Sequence, residues 1–250
     1  MKERTNRKEV EALLYTMGRK MLFNQSTFAK MFSQGTTADL VFFLHLLKEE
    51  DAIRTENRRT RYQRLAHFPT PKSFTNYDFS GISFPTKLEK EELLSLNFIQ
   101  RKEVIIFFGA CGTGKTHAMT ALGINACNSD YRVRFYTVSE LILFLKKAKE
   151  ENHLEKFYST LGKQDLLCID ELGYIPMDVE AGQLLFQVIS KAYERQSLII
   201  TTNLPFNAWG PLFADEQLAA AIIDRLIHHG HLIKTGTKDW RLLHSTMLEK

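Results

Sequence analysis

The apolar run Val104-Ile105-Ile106-Phe107-Phe108 leads straight into Gly109-Ala110-Cys111-Gly112-Thr113-Gly114-Lys115-Thr116. The run has the length and side chains of a strand buried on both faces, as found in parallel sheets covered by helices. Gly109, Gly112 and Gly114 allow positive backbone dihedrals, so successive N–H groups can turn inward around an anion. The helix expected over Lys115–Cys127 adds its positive end. Lys115 supplies a point charge for β and γ phosphates, and the Thr116 hydroxyl suits a coordination position on magnesium. Strand, glycine-rich turn and helix in that order predict a loop that binds ATP and Mg2+, lined by Gly109 through Thr116 and by His117.

Around this loop, β-type runs alternate with helix-length segments, which predicts an α/β fold with a central parallel sheet flanked by helices. Glu103–Phe108, Arg132–Val138, Leu166–Asp170 and Leu198–Thr202 are the expected strands. Ser139–Glu151, Glu180–Arg195 and Glu216–His229 are the further expected helices. Leu166-Leu-Cys-Ile-Asp170-Glu171 ends a buried strand in two carboxylates, at the strand end where ligands bind in open α/β sheets. Alone, such a pair fits a solvated turn. Beside a phosphate loop it fits Asp170 holding Mg2+ and Glu171 polarising the attacking water as general base. Leu198-Ile-Ile-Thr-Thr-Asn203 ends a third buried strand, and Asn203 is placed to orient that water or meet the γ-phosphate.

The order Gly109–Thr116, Asp170-Glu171, Thr201-Thr-Asn203 resembles the AAA+ ATPases, in which Walker A, Walker B and sensor-1 elements follow one another. A longer series carries the likeness further: Phe68-Pro-Thr-Pro-Lys-Ser-Phe74, Tyr77-Asp-Phe79, Arg132-Val-Arg-Phe135, Ile169-Asp-Glu-Leu-Gly-Tyr174, Thr202-Asn-Leu-Pro-Phe206 and Ile223-Asp-Arg-Leu-Ile-His-His229. From Phe68 to Leu243 the chain is similar to the IstB helpers of insertion-sequence transposases, relatives of the DnaC-type helicase loaders. The resemblance implies that Arg225 is an arginine finger reaching a neighbouring subunit's nucleotide, and that Arg241 acts as sensor 2. It also implies that the segment with Asp78 and Phe79 borders the adenine. Cys111 departs from the family pattern, where many relatives carry proline; its backbone N–H can add a phosphate contact.

Apolar positions three and four apart between Val10 and Ala66 predict a small all-α N-terminal domain. Phe68-Pro69-Thr70-Pro71-Lys72 then excludes helix, placing the boundary between domains 1–67 and 68–250. Residues 1–72 hold 14 Lys or Arg against 8 Asp or Glu, a net of +6 in a chain whose net is +4. That asymmetry favours a nucleic-acid partner at the N-terminal end. Arg54, Arg58, Arg61 and Arg64, at steps of four, three and three, share one helical face suited to a row of phosphates.

Cys111, Cys127 and Cys168 are an odd number with no paired ligand spacing, so neither a disulfide framework nor a zinc site is expected. His228 and His229 suggest a metal but lack a third ligand at suitable spacing; they read as helix-end histidines. The charged start and the absence of a long apolar run predict a cytoplasmic protein with no membrane association. Together with these features, the resemblance to the IstB helpers implies an ATPase that assembles as a homo-oligomer or filament on duplex DNA and regulates the transposase of the same element. The rival expectation is a DnaC-like loader of a replicative helicase.

Overall fold

The computed structural model describes residues 6–237 together with Asp239 and Trp240. It divides into two compact units, Met1–Arg58 and Arg59–Lys250. The first unit is built from α1 (Arg7–Lys20), α2 (Gln25–Gln34) and most of α3 (Thr37–Ala66). Asn6 and Asn24 cap α1 and α2 by accepting backbone N–H bonds, which satisfies donors that a helix start leaves orphaned. Val10, Leu14, Phe28, Phe32, Leu40, Leu44 and Leu47 form its core. Gly18 is required there, because a Cβ at that position would lie 2.8 Å from the Phe28 ring.

The division falls inside α3, earlier than the proline pair from which the sequence predicts the boundary. Tyr62 and Ala66 belong to the core of the second unit, and Leu65 O accepts a 2.8 Å bond from Arg134. Helix continuity hides that change of allegiance, whereas a proline pair is visible in the sequence.

In chain order the second unit adds α4 (Lys90–Leu94), α5 (Asn97–Gln100), β1 (Val104–Phe108), α6 (Lys115–Asn128), β2 (Val133–Thr137), α7 (Val138–Glu150), α8 (Leu154–Leu161) and β3 (Leu166–Leu172). It continues with α9 (Val179–Ala192), β4 (Ser197–Thr202), α10 (Trp209–Leu212), α11 (Glu216–His228) and β5 (Gly230–Lys234). Among the described residues, five strands form one sheet in the order β2-β3-β4-β1-β5, and every neighbouring pair is parallel.

The apolar runs of the strands serve both faces. Val104 and Ile106 point into one cluster with Leu167, Ile169, Leu198 and Ile200, against α7, α9 and α11. Ile105 and Phe107 point into the other with Cys168 and Ile199, against α5 and α6. Period-two alternation of side chains makes a continuous apolar run the right sequence for a strand covered twice. Helix starts are marked by local chemistry, as in α7, where Thr137 and Glu140 complete a capping box. Among the described residues, no helix is long and apolar enough to cross a membrane.

Candidate nucleotide site

The phosphate loop leaves β1 at Gly109 and becomes α6 at Lys115, with Gly112 and Gly114 at φ of 75° and 87°. Both dihedrals lie in the left-handed region that favours glycine. A Cβ at Gly112 would displace the Asp239 carboxylate, and one at Gly114 would press on the Tyr77 ring at 3.1 Å. Lys115 is only 6% exposed, and its ammonium donates to Gly109 O at 2.8 Å and Ala110 O at 2.7 Å. The charge is thus held within the loop that its sequence position implied.

The carboxylate of Asp170, 3% exposed at the end of β3, accepts bonds from the Thr116 hydroxyl at 3.1 and 3.0 Å. The Thr201 hydroxyl donates to the same carboxylate and accepts from the Glu171 N–H at 3.0 Å. Burial raises the Asp170 carboxyl above its usual range, and the Thr201 and Thr116 hydroxyls, the Glu171 N–H and the Lys115 charge oppose that rise. One hydroxyl and one carboxylate side by side are hard oxygen donors, and they fit the one or two protein ligands that Mg2+ takes beside phosphate oxygens.

Glu171 stands next along the chain, exposed, with φ of 65° at a shift in the β3–β4 register. A left-handed non-glycine residue is uncommon, and such backbone outliers cluster at functional sites. The register shift breaks alternation, so the Glu171 side chain faces solvent beyond the buried Asp170. Asn203 follows β4, half-buried, and its Oδ1 is a buried acceptor with no hydrogen-bond partner among the described residues. An orphaned acceptor at this edge of the sheet suits a donor brought by a ligand or water.

Three further residues reach the loop, one of them from the Tyr77-Asp-Phe79 motif. Tyr77 donates from its hydroxyl to Gly114 O at 3.3 Å and packs against His117, ring centroids 5.0 Å apart. Burial, with help from the Asp78 charge, pushes the Tyr77 phenol up to about 12, which keeps it a neutral donor. Thr235, just after β5, pairs its hydroxyl with that of Thr113 at 2.7 Å, and the Trp240 N–H donates to Gly112 O at 3.0 Å.

Asp78 itself accepts from the Ser80 N–H at 2.8 Å, and Phe79 sits beneath Lys90, 4.5 Å from its ammonium. Within the Tyr77-Asp-Phe79 segment, Tyr77 touches the loop. His117 shares a 2.7 Å bond with Ser73 O, and the Cys111 thiol lies 3.3 Å from the Tyr174 hydroxyl. Arg225, on α11, bonds back to Ala221 O at 2.9 Å and lies over the Phe186 ring. Arg241 lies outside the described residues.

This strand order, with a glycine loop after β1 and an acidic pair ending β3, defines a P-loop nucleotide-binding protein of the AAA+ class. A family model for the IstB-like ATP binding protein matches residues 21–247, and the chain belongs to that family.

The chain is 38% identical over 201 residues to the protein named as an ATP-binding protein of insertion sequence IS21 in Pseudomonas aeruginosa, covering 80% of this chain and 76% of that one. It is 36% identical over 200 residues to the corresponding IS232 protein of Bacillus thuringiensis subsp. berliner, covering 79% of each. Among solved structures, DnaI superposes with a TM-score of 0.52 at 15% identity, covering 72% of this chain and 98% of DnaI. At that identity the likeness speaks for the fold alone.

Proposed function

We propose that the protein hydrolyses Mg-ATP while assembled on duplex DNA and thereby controls the transposase of its insertion sequence. The observation that carries the hydrolytic reading is the convergence of Lys115, Thr116 and Asp170 with Glu171 exposed one residue beyond.

Lys115 releases its loop carbonyls to contact the β and γ phosphates, and the loop N–H groups and the α6 N-terminus hold the remaining oxygens. Thr116 and Asp170 hold Mg2+, which when bound neutralises charge developing on the phosphates. Glu171 accepts a proton from water as the water oxygen bonds to the γ-phosphorus. The bond from that phosphorus to the β–γ bridging oxygen breaks, and ADP and phosphate leave. Asn203 orients the water through its unpartnered Oδ1. Arg225 leaves Ala221 O and reaches the γ-phosphate bound by a neighbouring copy, so hydrolysis per chain rises with assembly.

Arg54, Arg61 and Arg64 are exposed on α3 and Arg58 is half-buried. Arg54 already pairs with Glu50 at 2.6 Å, a partner that a phosphate would displace. The test compares duplex with single-stranded DNA in the presence of ATP, in the native chain and with all four arginines changed to alanine. Tight, salt-sensitive duplex binding is expected. Its slope of log affinity against log salt should fall by up to roughly 3.6 in the variant, at about 0.9 for each phosphate no longer neutralised. An unchanged slope in a folded variant places the DNA-binding surface elsewhere. A clear preference for single strands favours the helicase-loader reading instead.

A further inference from the structure

The fold supplies the third metal ligand that the sequence around His228 and His229 lacks. Glu194 follows α9, 35 residues before His229, and its Oε1 lies 3.3 Å from His229 Nε2. One ligand atom from each of Glu194, His228 and His229 falls within 4.8 Å of the others, and all three residues are exposed. We propose that this cluster is a divalent transition-metal site, filled by Zn2+ in preference to Mg2+.

Two imidazoles and one carboxylate are the donor set that zinc takes with a water as fourth ligand, whereas magnesium requires an oxygen shell. The position adds to the donor chemistry. Glu194 stands just past the C-terminus of α9, and His228 and His229 end α11, so the negative ends of two helices meet the site. Tyr193 contributes an outer partner: its hydroxyl lies 2.6 Å from His228 Nδ1, which fixes the ring and directs its Nε2 to the ion. His229 and Arg225 line one small groove together with Glu194. An ion there ties the turn after α9 to the end of the helix that carries Arg225.

The experiment titrates Zn2+ into full-length, chelator-stripped protein by calorimetry, with Co2+ as a spectroscopic substitute. One ion per chain is expected, with a cobalt spectrum of four- or five-coordinate N and O ligation and no sulfur-to-metal band, which separates this site from Cys111. His228→Ala, His229→Ala and Glu194→Gln should each weaken binding by more than the roughly tenfold expected when the outer partner is removed in Tyr193→Phe. All three ligands are exposed, so the variants should fold, and unchanged nucleotide affinity verifies this. Undiminished zinc affinity in the His228→Ala/His229→Ala double variant, or Mg2+ competing at equal concentration, overturns the proposal.

Discussion

The helical unit and the α/β unit solve the problem of burying apolar surface on unequal terms. In the α/β unit a sheet is covered on both faces, and two clusters share its strands residue by residue. In the helical unit α1, α2 and α3 enclose one small core built around Phe28 and Phe32. Large apolar side chains stay outside it, with Leu22 93% and Phe42 74% exposed. A small unit buries a lower fraction of its surface and is correspondingly less stable. The contrast teaches that the candidate nucleotide site sits on the unit with the larger, doubly covered core, while the smaller unit's core rests on a few aromatic contacts.

The sharpest way to isolate the α/β unit's chemistry is Glu171→Gln. ATP hydrolysis should fall by about 10²- to 10⁴-fold, the usual worth of a positioned general base. Nucleotide binding should be kept, because Lys115, Thr116 and Asp170 are untouched. Phosphate release and equilibrium binding measured separately check both halves, and hydrolysis at the native rate would remove Glu171 from its role.

Next in size, Phe28→Ala should cost the helical unit about 3–5 kcal/mol, because the ring is buried against Gly18, Phe32 and Phe43. Calorimetry should then show an early transition indifferent to ATP and a later one that ATP raises. A single transition that moves as a whole would mean the two units unfold together.

A smaller effect of opposite sign is expected from Asp170→Asn. The raised carboxyl means that the folded state favours the proton. Stability from this group is therefore present at low pH and lost as pH rises through its folded value. Removing the charge should lift the melting temperature of the α/β unit at neutral pH and abolish the tightening of ATP binding by Mg2+. A lowered melting temperature would show that the hydroxyl bonds outweigh the desolvation.

Much of the α/β unit was legible because its signals are local. The expected β1 to β4 lie within two residues of the observed ends, since long apolar runs beside glycine or acidic punctuation leave little choice. β5 was missed: Gly230-His231-Leu232-Ile233-Lys234 has only two adjacent apolar residues and lies at the sheet edge, paired with β1 and bridged at Lys234 to Ser83. The short helices α4, α5, α8 and α10 have no periodic stretch long enough to read. The sequence places Lys115, Thr116 and Asp170 in two separate motifs, and the structure brings them together. Thr235, Trp240 and Glu194 reach their partners only through the sheet topology, so no window of sequence announces them. Tyr77 lies in a segment that is recognisable in the sequence, but its hydrogen bond to Gly114 O emerges only in the fold.

The Thr201 hydroxyl serves two clients at once, the buried carboxylate of Asp170 and the backbone of Glu171. The proposed metal ligand and the proposed base thus hang from one peg, and neither can move without disturbing the bond that holds the other. Any inherited change that shifts the end of β4 is met by both in the same step.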